Sequence, residues 1–204
     1  MRKRTPALLL VAGSAILALT GCGNSSTTTS TPPPASATQP ATSSSPAAGG
    51  QTFNGHSVTF QYPTGWKAFH ISGTSASQGT QLWTETFGLD EANFVTVSQY
   101  SVNIPITTSN IDQHTGELTT QIQQLFTQAG GSMQSGPTKL TMGGFPALGY
   151  SGTAVNPSAV SVKTRIVLAF NNTTEYFVNC QSTGTTTTDL DAGCDQVIAT
   201  FTAA

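Results

Sequence analysis

The chain has 204 residues, seven Lys/Arg against nine Asp/Glu, and only 8% charged residues, about a third of the ~25% usual in soluble domains. A formal net charge of −2 and the absence of any basic run beyond Arg2-Lys3-Arg4 exclude a cationic patch for nucleic acid or anionic lipid headgroups. So few charges also leave few acid–base candidates.

The first element is a secretory signal. A basic start is followed by an apolar run from Ala7 to Leu19 and the small residues that precede Cys22. The Leu19-Thr20-Gly21-Cys22 ending resembles the lipobox of bacterial lipoproteins. That resemblance implies diacylglycerol on Cys22 Sγ, cleavage before Cys22, and a third, palmitate-type acyl chain on the new amino terminus. Each buried CH₂ contributes roughly 0.8 kcal/mol, so two or more chains anchor almost permanently. A transmembrane helix needs about 20 apolar residues, more than this run supplies. The expected location is the extracytoplasmic face of the cell membrane, held there by lipid. Loss of residues 1–21 leaves 204 − 21 = 183 residues and, with three basic residues gone, four basic against nine acidic ones.

Residues 22–50 form the lipidated cysteine and a tether. From Gly23 to Gly50, 18 of 28 positions are Ser, Thr or Pro and none is charged; such a segment buries too little surface to offset its chain entropy. Pro32-Pro33-Pro34 favours extended polyproline II. Residues 51–204 are long enough for one domain with its own core.

Within that domain Val58, Phe60 and Tyr62 alternate with polar residues, predicting a strand that Pro63-Thr64-Gly65 ends. Trp66–Ile71, Gln81–Phe87 and Ala92–Val102 predict three more. Ser109-Asn110-Ile111-Asp112 then opens a helix whose Leu118, Ile122, Leu125, Phe126 and Ala129 form one stripe, stopped by Gly130-Gly131. Gly116 inside it costs roughly 1 kcal/mol relative to Ala. Thr138–Met142 and Phe145–Thr153 predict a hairpin about Gly143-Gly144. Val160, Val162, Ile166, Leu168 and Phe170 share one parity of a strand over Ala159–Phe170, which Asn171-Asn172 should turn back against Thr173–Gln181. Thr188 is placed to cap a last helix carrying Leu190, Cys194, Val197, Ile198 and Phe201.

These elements describe an α+β domain, a mostly antiparallel sheet packed with two main helices. The run Val58-x-Phe60-x-Tyr62-Pro63-x-Gly65-Trp66, the later hairpins and the ending Val197-Ile198-Ala199-Thr200-Phe201 resemble the PsbP-like family. The family's actinobacterial lipoproteins, of the LpqN type, are the nearer likeness. The resemblance implies an αβα sandwich over about residues 53–201 and a family that works mostly through protein contact.

Cys180 and Cys194 sit in an exported, oxidising setting, and each falls on the inward parity of its element. A disulfide is expected; a Cys–His nucleophile or a metal site is the weaker alternative, because no Cys-x-x-Cys or local histidine pair accompanies either. His56, His70 and His114 lack metal-ligand spacing, and no Gly-x-Ser-x-Gly elbow or phosphate-binding loop is present, so no cofactor, metal or catalytic residue is assigned. Asp90-Glu91 reads as a loop, and Asp189 and Asp191 as helix-dipole partners. Aromatic residues crowd the first sheet, and Trp66 and Trp83 are the candidate binding surface. The expected function is a non-catalytic module that binds an envelope protein. A carrier or sensor of apolar ligands such as glycolipids is the second reading, and a hydrolase the third.

Overall fold

The computed structural model describes residues 49–71, 79–156, 158–184 and 186–204; Cys22, the signal segment and the tether up to residue 48 lie outside them. The described chain opens with a hairpin. β1 (Gly50–Gly55) pairs antiparallel with β2 (Val58–Pro63), and β2 also takes β9 (Thr202–Ala203), giving a small sheet ordered β1-β2-β9. In β2, Val58 and Phe60 are buried, as their alternation predicts. β1 has no such signature, since Phe53 is its one large apolar residue. It forms because His56 and Ser57 turn the chain back with φ of 52° and 60°, the left-handed pair that a type I′ hairpin turn requires.

The larger sheet contains β3 (Lys67–Phe69), β4 (Thr80–Asp90), β5 (Asn93–Ile106), β6 (Ser132–Met142), β7 (Phe145–Val155) and β8 (Ser161–Ser182). Its order is β3-β4-β5-β8-β7-β6, with every pairing antiparallel. Gly143 and Gly144, at φ 61° and 83°, join β6 to β7 in the expected hairpin. β6 begins six residues earlier than its apolar pattern shows, because pairing to β7 continues through two bulges.

β8 differs from expectation in one respect. Strand geometry continues through Asn171-Asn172, where Asn172 pairs with Ile106 after a shift in register from the Ser101↔Thr174 pair. The chain nonetheless reverses there. Twenty-two residues in a straight strand would span roughly 70 Å, whereas a domain of about 150 residues has a radius of gyration near 15 Å. Ser161–Ala169 pairs with β7 and Thr174–Gln181 with β5. Asn172 has φ 55°, and the parity of the buried residues inverts across it: Ile166, Leu168 and Phe170 share a face with Phe177, while Val167 and Ala169 share the other with Tyr176, Val178 and Cys180. Val160, expected inside, is 45% exposed because the paired strand starts after it.

Each sheet face carries one helix. α1 (Ile111–Gln128) lays Leu118, Ile122 and Phe126 on Leu148, Tyr150, Ile166 and Leu168. It ends at Ala129 with Gly131 N–H donating to Phe126 O and Gly130 N–H to Thr127 O, the paired bonds of a left-handed glycine stop. Asn110 precedes α1 but does not cap it; its side chain instead holds Thr107 N–H and Pro105 O. On the opposite face α2 (Thr187–Thr200) packs Leu190, Cys194 and Val197 over Val95, Val97 and Val178, beside β2 and Phe201. The cap position of α2 lies two residues before the expected Thr188. Thr186 occupies that position but turns its hydroxyl to Asn93 Oδ1, which also accepts from Thr183 N–H and Oγ1. Asn93, 5% exposed, thereby ties the β4–β5 turn to the start of α2. The result is an αβα sandwich with the small sheet lying beside α2.

Candidate binding site

Trp66 follows a turn in which its N–H bonds Pro63 O and Gly65 takes φ 89°. That turn drives the indole inward. Trp66 is 5% exposed and lies against α2 at Gly193, so it is a core residue and presents no surface to a partner. Its expected place in a binding surface is corrected by the layer that covers it: a lone glycine in α2 makes the groove that receives the ring.

Trp83 is different. It projects from β4 to the same face of the sheet, is half-buried, and donates its indole N–H to Gln99 Oε1 on β5. His56, at the tip of the β1–β2 turn, stacks on it with ring centroids 4.9 Å apart and planes 12° from parallel. His56 Nε2 lies 3.3 Å from Glu85 Oε1, two residues along β4. The side chains of His56 and Glu85 are 43% and 35% exposed. Three residues from two sheets therefore make one small platform: an aromatic base, an imidazole resting on it, and a carboxylate at its edge. Two consecutive non-glycine residues at positive φ are costly, and the stack and the hydrogen bond offset part of that cost. The platform offers a hydrogen-bonding imidazole–carboxylate pair in a fixed orientation. Thr84 and Ser98, whose hydroxyls are 2.7 Å apart, alternate to the opposite face of the sheet and are not within its reach.

Cys180 and Cys194 are joined by a disulfide, with Cα atoms 6.0 Å apart, so neither sulfur is a thiolate. Both are buried, and the bond runs from β8 to α2. Arg165 and Asp195, 2.5 Å apart, tie the same two elements at the surface. Asp189 stands in the first turn of α2, as expected.

Two cavities flank α1. One, of about 150 Å³, lies between α1 and the end of β5 and is lined by Ile104, Ile106, His114, Glu117, Phe170 and Glu175 among others. The other, of about 240 Å³, sits between the start of α1 and the β6–β7 hairpin, where Lys139 Nζ meets Asp112 Oδ1 at 2.5 Å. His70 is exposed at the end of β3. The three histidines thus stand in three separate places, and among the described residues no group of three metal-ligating side chains converges. Burial pushes the hydroxyls of Tyr150 and Tyr176 above the usual tyrosine range; for Tyr150 a hydrogen bond with Thr119 opposes this. Sequence reasoning did not associate His56 with Trp83, because the 26 positions between them carry no shared pattern and only the packing of one sheet on another joins them.

Neither a protein-family model nor a curated protein matches the sequence. Solved structures do. Cyanobacterial PsbP (CyanoP) from Synechocystis superposes with a TM-score of 0.55 at 12% identity, over 76% of this chain and 92% of that one. A protein from Bacteroides thetaiotaomicron gives 0.47 at 14% identity, covering 76% of this chain and 48% of that one. LpqN of Mycobacterium tuberculosis, involved in cell envelope biogenesis, gives 0.45 at 13% identity, over 75% and 84%. The described domain has the PsbP-like fold, as the Tyr62-Pro63-x-Gly65-Trp66 run and the closing helix led us to expect.

Proposed function

We propose that this protein is a cell-envelope lipoprotein, anchored through Cys22 at the extracytoplasmic face of the membrane, whose PsbP-like domain binds a protein partner without catalysing a reaction. The observation that carries the reading is the filled interior. Phe60, Val97, Val178, Cys194 and Val197 close one face of the large sheet at 0% exposure, and Leu148, Ile122, Phe126 and Phe170 close the other at 2% or less. A carrier of glycolipid-sized apolar ligands needs an internal space of several hundred Å³, and the two cavities beside α1 are smaller, with polar groups in their walls. The surface proposed for the partner is the His56–Trp83–Glu85 platform, because tryptophan is among the residues most enriched at the energetic centres of interfaces and polar groups form their rim.

Two measurements test this. Cys22→Ala should release the protein from membranes into the aqueous phase of a detergent partition; retention with the detergent would refute the anchor. In the second, Trp66→Phe leaves Trp83 as the one tryptophan, and its emission is followed while envelope proteins are added. A shift that is lost with His56→Ala and Glu85→Ala supports the platform. Turnover in a hydrolase screen that disappears when a single histidine is replaced would overturn the non-catalytic reading.

A further inference from the structure

Among the described residues four strand edges have no neighbour in their own sheets: β3, β6, β9 and β1. Open edges recruit other strands, and native proteins blunt them by shortness, bulges, proline or inward charge. β9 has two residues and β3 three. β6 carries two bulges, Pro137 and Lys139. β1 has six residues and none of these devices: its register with β2 is regular from Gly50↔Pro63 to Gly55↔Val58, and it contains no proline and no charge.

The hydrogen-bond alternation of β1 follows from the turn. A two-residue turn at His56-Ser57 makes Gly55 and Val58 a mutually bonded pair, so Phe53 and Gln51 also bond to β2 while Gly50, Thr52 and Asn54 aim their N–H and C=O groups away from it. The other side of β2 agrees with this count, since Gln61, opposite Thr52, sends its N–H away from β1 to Thr200 Oγ1 at 2.8 Å. Gly50, Thr52 and Asn54 are all exposed.

We infer that this edge is the docking site for β1 of a second copy of the same chain, paired antiparallel about Thr52. Antiparallel pairing across a two-fold axis is self-complementary: Thr52 faces Thr52, and Gly50 faces Asn54 in both directions. In such an interface every charge near the axis meets its own like, and residues 49–65 contain no Asp, Glu, Lys or Arg. Thr beside Thr is a favourable cross-strand pair. The two small sheets would join into one, and copies tethered in the same membrane would meet at raised local concentration.

The test uses the chain from residue 22 onward with Cys22→Ala, followed by sedimentation velocity over a concentration series. The wild-type edge should dimerise. Thr52→Lys and Thr52→Glu, each placing like charges face to face, should each weaken the dimer by about tenfold or more, and an equimolar mixture of the two should restore it. Both variants keep the Thr52 N–H and the fold, so unchanged thermal unfolding of the monomer serves as control. Thr52→Pro, which removes only an outward N–H, should also give a monomer. A wild-type chain that stays monomeric at submillimolar concentration overturns the inference. So does a dimer that all three variants leave intact, or an edge that is protected only when a different protein is added.

Discussion

A methyl group added at Gly193 would lie 2.3 Å from Cη2 of Trp66. The indole fills the space that a side chain in α2 would occupy, and helix and turn meet backbone to ring. Gly193→Ala should therefore destabilise the domain by about 2–3 kcal/mol through overpacking, although Ala is the better helix former by roughly 1 kcal/mol. Gly116→Ala in α1 is the control with the opposite sign. Nothing lies within 4 Å of its added methyl, so propensity acts alone and stability should rise by roughly 0.5–1 kcal/mol. Denaturant midpoints of the two variants check both; a Gly193→Ala protein as stable as wild type would mean that Trp66 can move aside.

The Cys180–Cys194 bond closes a loop with a sequence separation of 14. Replacing both cysteines by alanine should cost about 3 kcal/mol by the chain-entropy estimate. A thiol count on the unreduced folded protein should find neither of these two cysteines free. Equal guanidinium midpoints for the oxidised and the reduced protein would show that the bond does not contribute to stability.

Ser57 sits at the second central position of the β1–β2 turn with φ 60°, where glycine is the preferred residue. Ser57→Gly should stabilise the domain by about 1 kcal/mol, the order of the left-handed penalty for a residue with a Cβ. The replacement keeps the Ser57 carbonyl that accepts the Ala204 N–H. Thermal unfolding is the measurement, and a lowered midpoint would show that the serine side chain has a role at the turn.

Alkaline pH should weaken the fold. Burial holds the Tyr150 and Tyr176 hydroxyls protonated above their ordinary range, whereas in the unfolded chain they ionise near pH 10. The folded state therefore binds more protons than the unfolded state above that pH. The stability these groups contribute is complete below about pH 10 and is lost as pH rises through their folded values. Tyr176→Phe should flatten the decline of the unfolding midpoint as pH rises above about 10; an unchanged slope would place the alkaline sensitivity elsewhere.

The stretches with strict periodicity were legible in the sequence. Val58 and Phe60 in a strand, Leu118, Ile122 and Phe126 on a helix, Gly143-Gly144 in a hairpin and the inward parity of Cys180 and Cys194 all follow from local rules of spacing, because side-chain direction repeats every two or 3.6 residues. Those rules end where a residue's role depends on what a distant segment places beside it. Nothing near Trp66 says that a glycine 127 positions later makes room for it and removes it from the surface. Nothing near His56 says that it will rest on Trp83. β1 was invisible for the same reason, since it owes its existence to pairing with β2 and buries little of its own. Asn172 took the left-handed conformation that its residue type suggests, yet strand geometry continued through it, where Ile106 arrives from β5. Local pattern therefore determined both helices, the strands with strict alternation and the apolar face of each. Tertiary packing decided which aromatic is core and which is platform, and which edge was left open, because those outcomes depend on contacts between segments whose meeting no local pattern encodes.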